Sequence, residues 1–82
     1  MMPISRISIK PTKHYLLEHA DVSWELVIKT ILSPNISRVN KRKGKDRFTY
    51  IKYFKEFMIE IHVKKDEQEE LIWVINAFKH GR

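Results

Sequence analysis

The chain predicts a single α+β domain over residues 1–82, with one or two N-terminal helices packed on a four- to five-stranded antiparallel sheet. Two observations carry that expectation. Trp24, Val27, Ile28, Ile31 and Leu32 follow the i, i+3, i+4, i+7, i+8 spacing of one apolar helical stripe. Past Pro34 the pattern changes to runs of β-branched and aromatic residues with short polar links, the signature of neighbouring antiparallel strands. Composition sets the scale: 82 residues, 43% hydrophobic, two Gly and three Pro describe a folded chain with room for one small core.

At the start, Ile4, Arg6, Ile7 and Ile9 form a short apolar run, of which Ile7-Ser8-Ile9-Lys10 alternates as an edge strand does. Pro11 disfavours a helical Lys10 and Thr12 can serve as a helix cap, so 12–19 is expected as a brief helix turning Tyr15 and Leu16 inward. The second helix is expected over 23–33. Asp21 or Ser23 can cap it, Glu25 suits its positive end, and Pro34 stops it. Strands are expected over 35–40, 48–54, 57–63 and 71–78.

A two-residue turn at Lys55-Glu56 would pair Phe54 with Phe57, Lys52 with Ile59, Tyr50 with Ile61 and Phe48 with Val63, making one apolar face for the helices. The same alternation sends Arg47, Thr49, Tyr53, Glu60, His62 and Lys64 to the other face, with Ile51 and Met58.

Charge and absent motifs narrow the function. Sixteen Lys and Arg against ten Asp and Glu leave +6, which favours phosphate-bearing partners through counterion release. The excess concentrates in 38–47, where Arg38, Lys41, Arg42, Lys43 and Lys45 offer phosphate contacts and Arg47 closes the run. With no cysteine, neither disulfides nor thiolate-bound zinc are available. His14 and His19, five apart, would stand about 140° apart around a helix, so no metal site is expected. Phosphate-loop, dinucleotide and nucleophile-elbow motifs are missing, which argues against nucleotide hydrolysis and acyl transfer. The opening MMPISRISIK lacks the apolar core of a signal peptide, and no apolar run approaches the roughly 18 residues of a membrane span, so a cytosolic location without membrane partners is expected.

Cleaving RNA without a metal or other cofactor needs a base for the 2′-hydroxyl, an acid for the leaving oxygen and cations for the phosphoryl charge. His14 and His62 are the histidines placed for proton transfer, Glu60 is a carboxylate base candidate, and Arg47 and Lys52 can hold phosphate. Lys52 falls on the core face, where it either snorkels at the margin or binds phosphate. Asn76 interrupts an apolar strand and is either a structural hydrogen-bonding residue or part of a site.

Four segments carry a resemblance to a known group: Thr12-Lys13-His14, Asp21-Val22-Ser23-Trp24-Glu25, Arg47-Phe48-Thr49-Tyr50-Ile51-Lys52 and Val74-Ile75-Asn76-Ala77-Phe78. In order and spacing the chain resembles the RelE-like and BrnT-like small toxin superfamily over nearly its whole length. That resemblance implies a twisted antiparallel sheet with helices on one side, metal-free ribonuclease activity and neutralisation by a small antitoxin protein. The chain departs from relatives at Glu18, where many carry Arg, and at Phe78, where several carry Tyr. The expected function is therefore a metal-independent endoribonuclease toxin acting on RNA, including ribosome-bound mRNA. A non-catalytic basic RNA- or DNA-binding module, or a protein-interaction domain of the same fold, is the alternative.

Overall fold

The computed structural model describes residues 7–81, which form two helices and five strands in an α+β arrangement. In chain order they are β1 (Ser8–Pro11), α1 (Lys13–Glu18), α2 (Trp24–Leu32), β2 (Ile36–Val39), β3 (Arg47–Tyr53), β4 (Phe57–Asp66) and β5 (Leu71–Gly81). Ile4 and Arg6 of the expected first strand lie outside the described residues.

The helices begin where the sequence provides caps. The hydroxyl of Thr12 accepts from the Tyr15 amide, and that of Ser23 accepts from the Leu26 amide. Val27 and Ile31 are buried as expected, but Leu32 is half exposed and Thr30 takes its place against the sheet. The buried stripe is thus rotated from the one predicted. Thr30 tolerates this position because its hydroxyl donates to the Leu26 carbonyl one turn back. In α1, Tyr15 is buried and Leu16 is not. The Tyr15 hydroxyl donates to the Val22 carbonyl and its ring meets Trp24 edge-on, which ties the two helices together.

The sheet order is β1-β5-β4-β3-β2. Its four later strands are an antiparallel meander, with Phe48 opposite Val63, Tyr50 opposite Ile61 and Lys52 opposite Ile59, the register expected from the tight turn. The fifth strand corrects the all-antiparallel expectation: β1 lies parallel to β5, with Ser8 opposite Leu71 and Pro11 opposite Val74. Both strands run in the same direction, which the long crossover through two helices and three strands between them permits. A local alternation pattern carries no information about such a non-local pairing.

Ile59, Ile61, Val63, Val74, Val22 and Val27 are each at most 2% exposed and form the core between helices and sheet. Each contributes about 1.5–3 kcal/mol of burial free energy. Lys65 lies over the Phe48 ring at 4.2 Å and covers one end of this apolar face. The helices do not pack on the opposite sheet face, the open face, although Thr49 and Ile51 on it are buried. Among the described residues no helix is long and apolar enough to cross a membrane.

Candidate active site

The open face is set by register. Thr49, His62 and Asn76 lie side by side on β3, β4 and β5, and Arg38 on β2 continues the row beyond Thr49. Asn76 reaches this row only because the β4–β5 ladder slips: Val63 pairs with Val74 but His62 pairs with Asn76, leaving Ile75 as an extra residue. Ile72 and Val74 point into the core, so uninterrupted alternation would have buried Asn76, Phe78 and His80 beside them. The bulge turns all three to the open face and Ala77 to the core.

His62 is held from both sides. Its Nε2 lies 2.7 Å from Glu60 Oε2, and its Nδ1 lies 3.1 Å from Asn76 Nδ2. An amide nitrogen only donates, so Nδ1 accepts from Asn76 and Nε2–H donates to the carboxylate. The other oxygen of Glu60 is 3.5 Å from His80 Nε2, so one carboxylate serves two imidazoles. The side chains of His62 and Glu60 are about a quarter exposed, which leaves the pair open to a substrate.

Two pockets meet at His62. The smaller, about 240 Å³, is lined by His14, Asn40, Lys43, Arg47, His62 and Asn76 among others. The larger, about 420 Å³, is lined by Arg38, Lys41, Arg42, Thr49, Glu60 and His62 among others. The basic walls come from the loop after β2. There the amides of Lys43 and Gly44 donate to the Asn40 carbonyl, and Asn40 and Arg47 close the loop at its base. Gly44 sits at φ +133°, a conformation that side chains disfavour, and a Cβ there would meet Asp46 Oδ1 at 3.1 Å.

His14 arrives on α1, which packs at the β5 edge of the sheet. Beyond Pro11 the edge of β5 is covered by α1: Thr12 donates to the Val74 carbonyl, and His19 Nδ1 donates to the Ala77 carbonyl at 3.0 Å. This edge packing brings the His14 and His19 rings to the rim of the open face. Phe78, 37% exposed, stands edge-on to His19 at 5.0 Å and to His62 at 5.5 Å.

Of the residues expected from sequence at a site, His14, Arg47, Glu60 and His62 come together here, with Arg38, Lys41, Arg42 and Lys43 on the walls. Lys45 is exposed in the loop and lines neither pocket. Lys52 is separated from them by the sheet. Its Nζ donates to the Ser33 carbonyl at 2.8 Å, where α2 ends, and so caps a helix rather than binding phosphate at this site. Asn76, Phe78, His19 and His80 join the cleft beyond the expected catalytic and phosphate-binding residues. Asn76 left a trace in the sequence as a polar break in an apolar run, and Phe78 as the position where several relatives carry Tyr.

His14 and His19 meet, although their spacing would separate them on a continuous helix. The helix ends at Glu18, and His19 leaves helical geometry at φ −130°, bringing the two Nε2 atoms to 3.2 Å. Among the described residues no group of three His, Asp or Glu side chains is arranged to hold a metal ion. No family model, curated protein or solved structure matches the chain.

Proposed function

We propose that the chain is a metal-independent endoribonuclease of a toxin–antitoxin-like system, cutting cytosolic RNA at the cleft around His62. One observation carries this reading: the His62 imidazole is fixed between Glu60 and Asn76 where two pockets with basic walls meet. In RNA self-cleavage the 2′-oxygen bonds to phosphorus as the P–O5′ bond breaks, giving a 2′,3′-cyclic phosphate and a 5′-hydroxyl. Glu60 holds the Nε2–H tautomer of His62, so the lone pair of Nδ1 is the one that takes the 2′-hydroxyl proton once RNA displaces the Asn76 amide. The carboxylate then faces the imidazolium it helps to form. His14, which lines the same pocket as His62, returns a proton to the leaving 5′-oxygen. Arg47 and Lys43 supply positive charge to the phosphoryl oxygens. Resemblance to RelE-like and BrnT-like toxins supports the reading, with ribosome-bound mRNA as a substrate and a small antitoxin protein as a partner.

Another observation favours a basic RNA- or DNA-binding module that does not cut. Both ring nitrogens of His62 are already hydrogen-bonded, and Phe78 has no hydroxyl with which to share the proton transfers. Incubating labelled RNA with the protein in EDTA, at low and high salt, decides between them. Fragments ending in cyclic phosphate, reduced about 10²–10⁴-fold by His62→Ala and also lost in Arg47→Ala, are the expected result. Salt-sensitive binding without fragments would leave the binding module. Neither binding nor cleavage would leave a protein-interaction domain.

A further inference from the structure

Two titratable rings meet at the edge of the cleft, those of His14 and His19. Their Nε2 atoms are 3.2 Å apart and their ring centroids 5.0 Å apart. His19 Nδ1 is 3.0 Å from the Ala77 carbonyl, which only accepts, so the His19 proton sits on Nδ1 and the lone pair on Nε2. A backbone carbonyl on the remote nitrogen is the partner that commonly orients metal-bound imidazoles. His14 is exposed, and turning its own proton to Nδ1 frees a second lone pair beside the first.

The distances fit a shared ion. Two nitrogens each about 2.0–2.1 Å from a zinc ion at the tetrahedral angle stand about 3.3 Å apart, and their ring centres about 5.2 Å apart. A collinear N–H···N bond at the observed nitrogen separation would instead hold the centres about 5.5 Å apart, so the ring axes are bent away from collinear, as two ligands of one ion require. Backbone geometry builds this arrangement: α1 stops at Glu18, and the bond from His19 to β5 fixes the second ring.

We propose that His14 and His19 form a two-imidazole site for a borderline divalent transition-metal ion such as Zn²⁺ or Ni²⁺, with water in the remaining positions. Nitrogen ligands without carboxylates select against Mg²⁺ and Ca²⁺, which require oxygen donors. The site lies beside the cleft, because His14 also lines the pocket of His62 and Asn76. Its existence does not depend on the ribonuclease reading, since the ligands and their geometry are independent of what the cleft binds.

The test is titration of the untagged full chain with ZnCl₂, NiCl₂ and MgCl₂, followed by calorimetry and by the histidine ring signals in NMR. One Zn²⁺ or Ni²⁺ per chain is expected, with His14 and His19 signals shifting first and no response to Mg²⁺. His14→Ala, at an exposed position, is expected to lower affinity at least about tenfold, the scale on which disturbing a ligand set acts. His80→Ala, which touches the Glu60 cluster instead, is expected to leave it unchanged. Binding undiminished in His14→Ala would overturn the assignment, as would absence of binding at millimolar Zn²⁺.

Discussion

Replacing Lys52 by Met separates the helix-capping role seen in the structure from the phosphate-binding role the sequence allowed. Lys52 Nζ lies 2.8 Å from the Ser33 carbonyl, at the negative end of α2. A cation at a helix C-terminus contributes about 0.3–1 kcal/mol, and a charged hydrogen bond more when it is shielded from water. The bond is solvent-exposed, so its loss is set at about 1 kcal/mol, while the Met side chain keeps the apolar stem packed. In a domain of this size about 1 kcal/mol lowers the melting temperature by roughly 4–8 °C. Thermal denaturation followed by circular dichroism measures that shift, and RNA cleavage and binding at 25 °C measure the site. If the cleft cuts or binds RNA as proposed, the expected outcome is a lowered Tm with that activity intact below the transition. Loss of RNA activity at an unchanged Tm would refute the separation of Lys52 from the cleft.

Other consequences rest on single residues. Burial, and secondarily the charge of Asp21, raises the Tyr15 phenol above its ordinary value of 10.0. The folded state therefore holds this proton more tightly, and the associated stability is complete below about pH 10 and lost as pH rises through the raised value. Urea denaturation between pH 8 and 11.5 should show a steeper alkaline decline in the natural chain than in Tyr15→Phe; parallel curves would deny the coupling. Ile61 is 0% exposed, so Ile61→Ala is expected to cost about 2–5 kcal/mol, a large share of a small domain's stability, and an unchanged urea midpoint would contradict its central place. If Arg38, Lys41, Arg42, Lys43 and Arg47 all neutralise phosphates, single-stranded RNA affinity should fall with a log–log salt slope near about −3.5. The Lys41→Ala, Arg42→Ala double variant should flatten it by about 1.4, and an unaltered slope would remove these side chains from the interface.

Local chemistry was enough to write down much of this molecule. Proline and hydroxyl caps placed both helices, because the groups they satisfy lie within a turn of the cap. The tight link at Lys55-Glu56 set the β3–β4 register, and strict alternation then put Arg47, Glu60 and His62 on one face. Tertiary structure decided what depends on distant partners. Parallel pairing of β1 with β5 and the Ala77 carbonyl that draws His19 toward His14 join segments far apart in the chain, and the extra residue Ile75 that turns Asn76 outward is set by the ladder with β4 rather than by β5's own alternation. Lys52 shows the same limit: its neighbours in sequence are strand residues, while the acceptor that fixes its role belongs to the end of a helix packed across the sheet. Periodicity reports which way a side chain points from its own backbone, and only packing determines what it meets there.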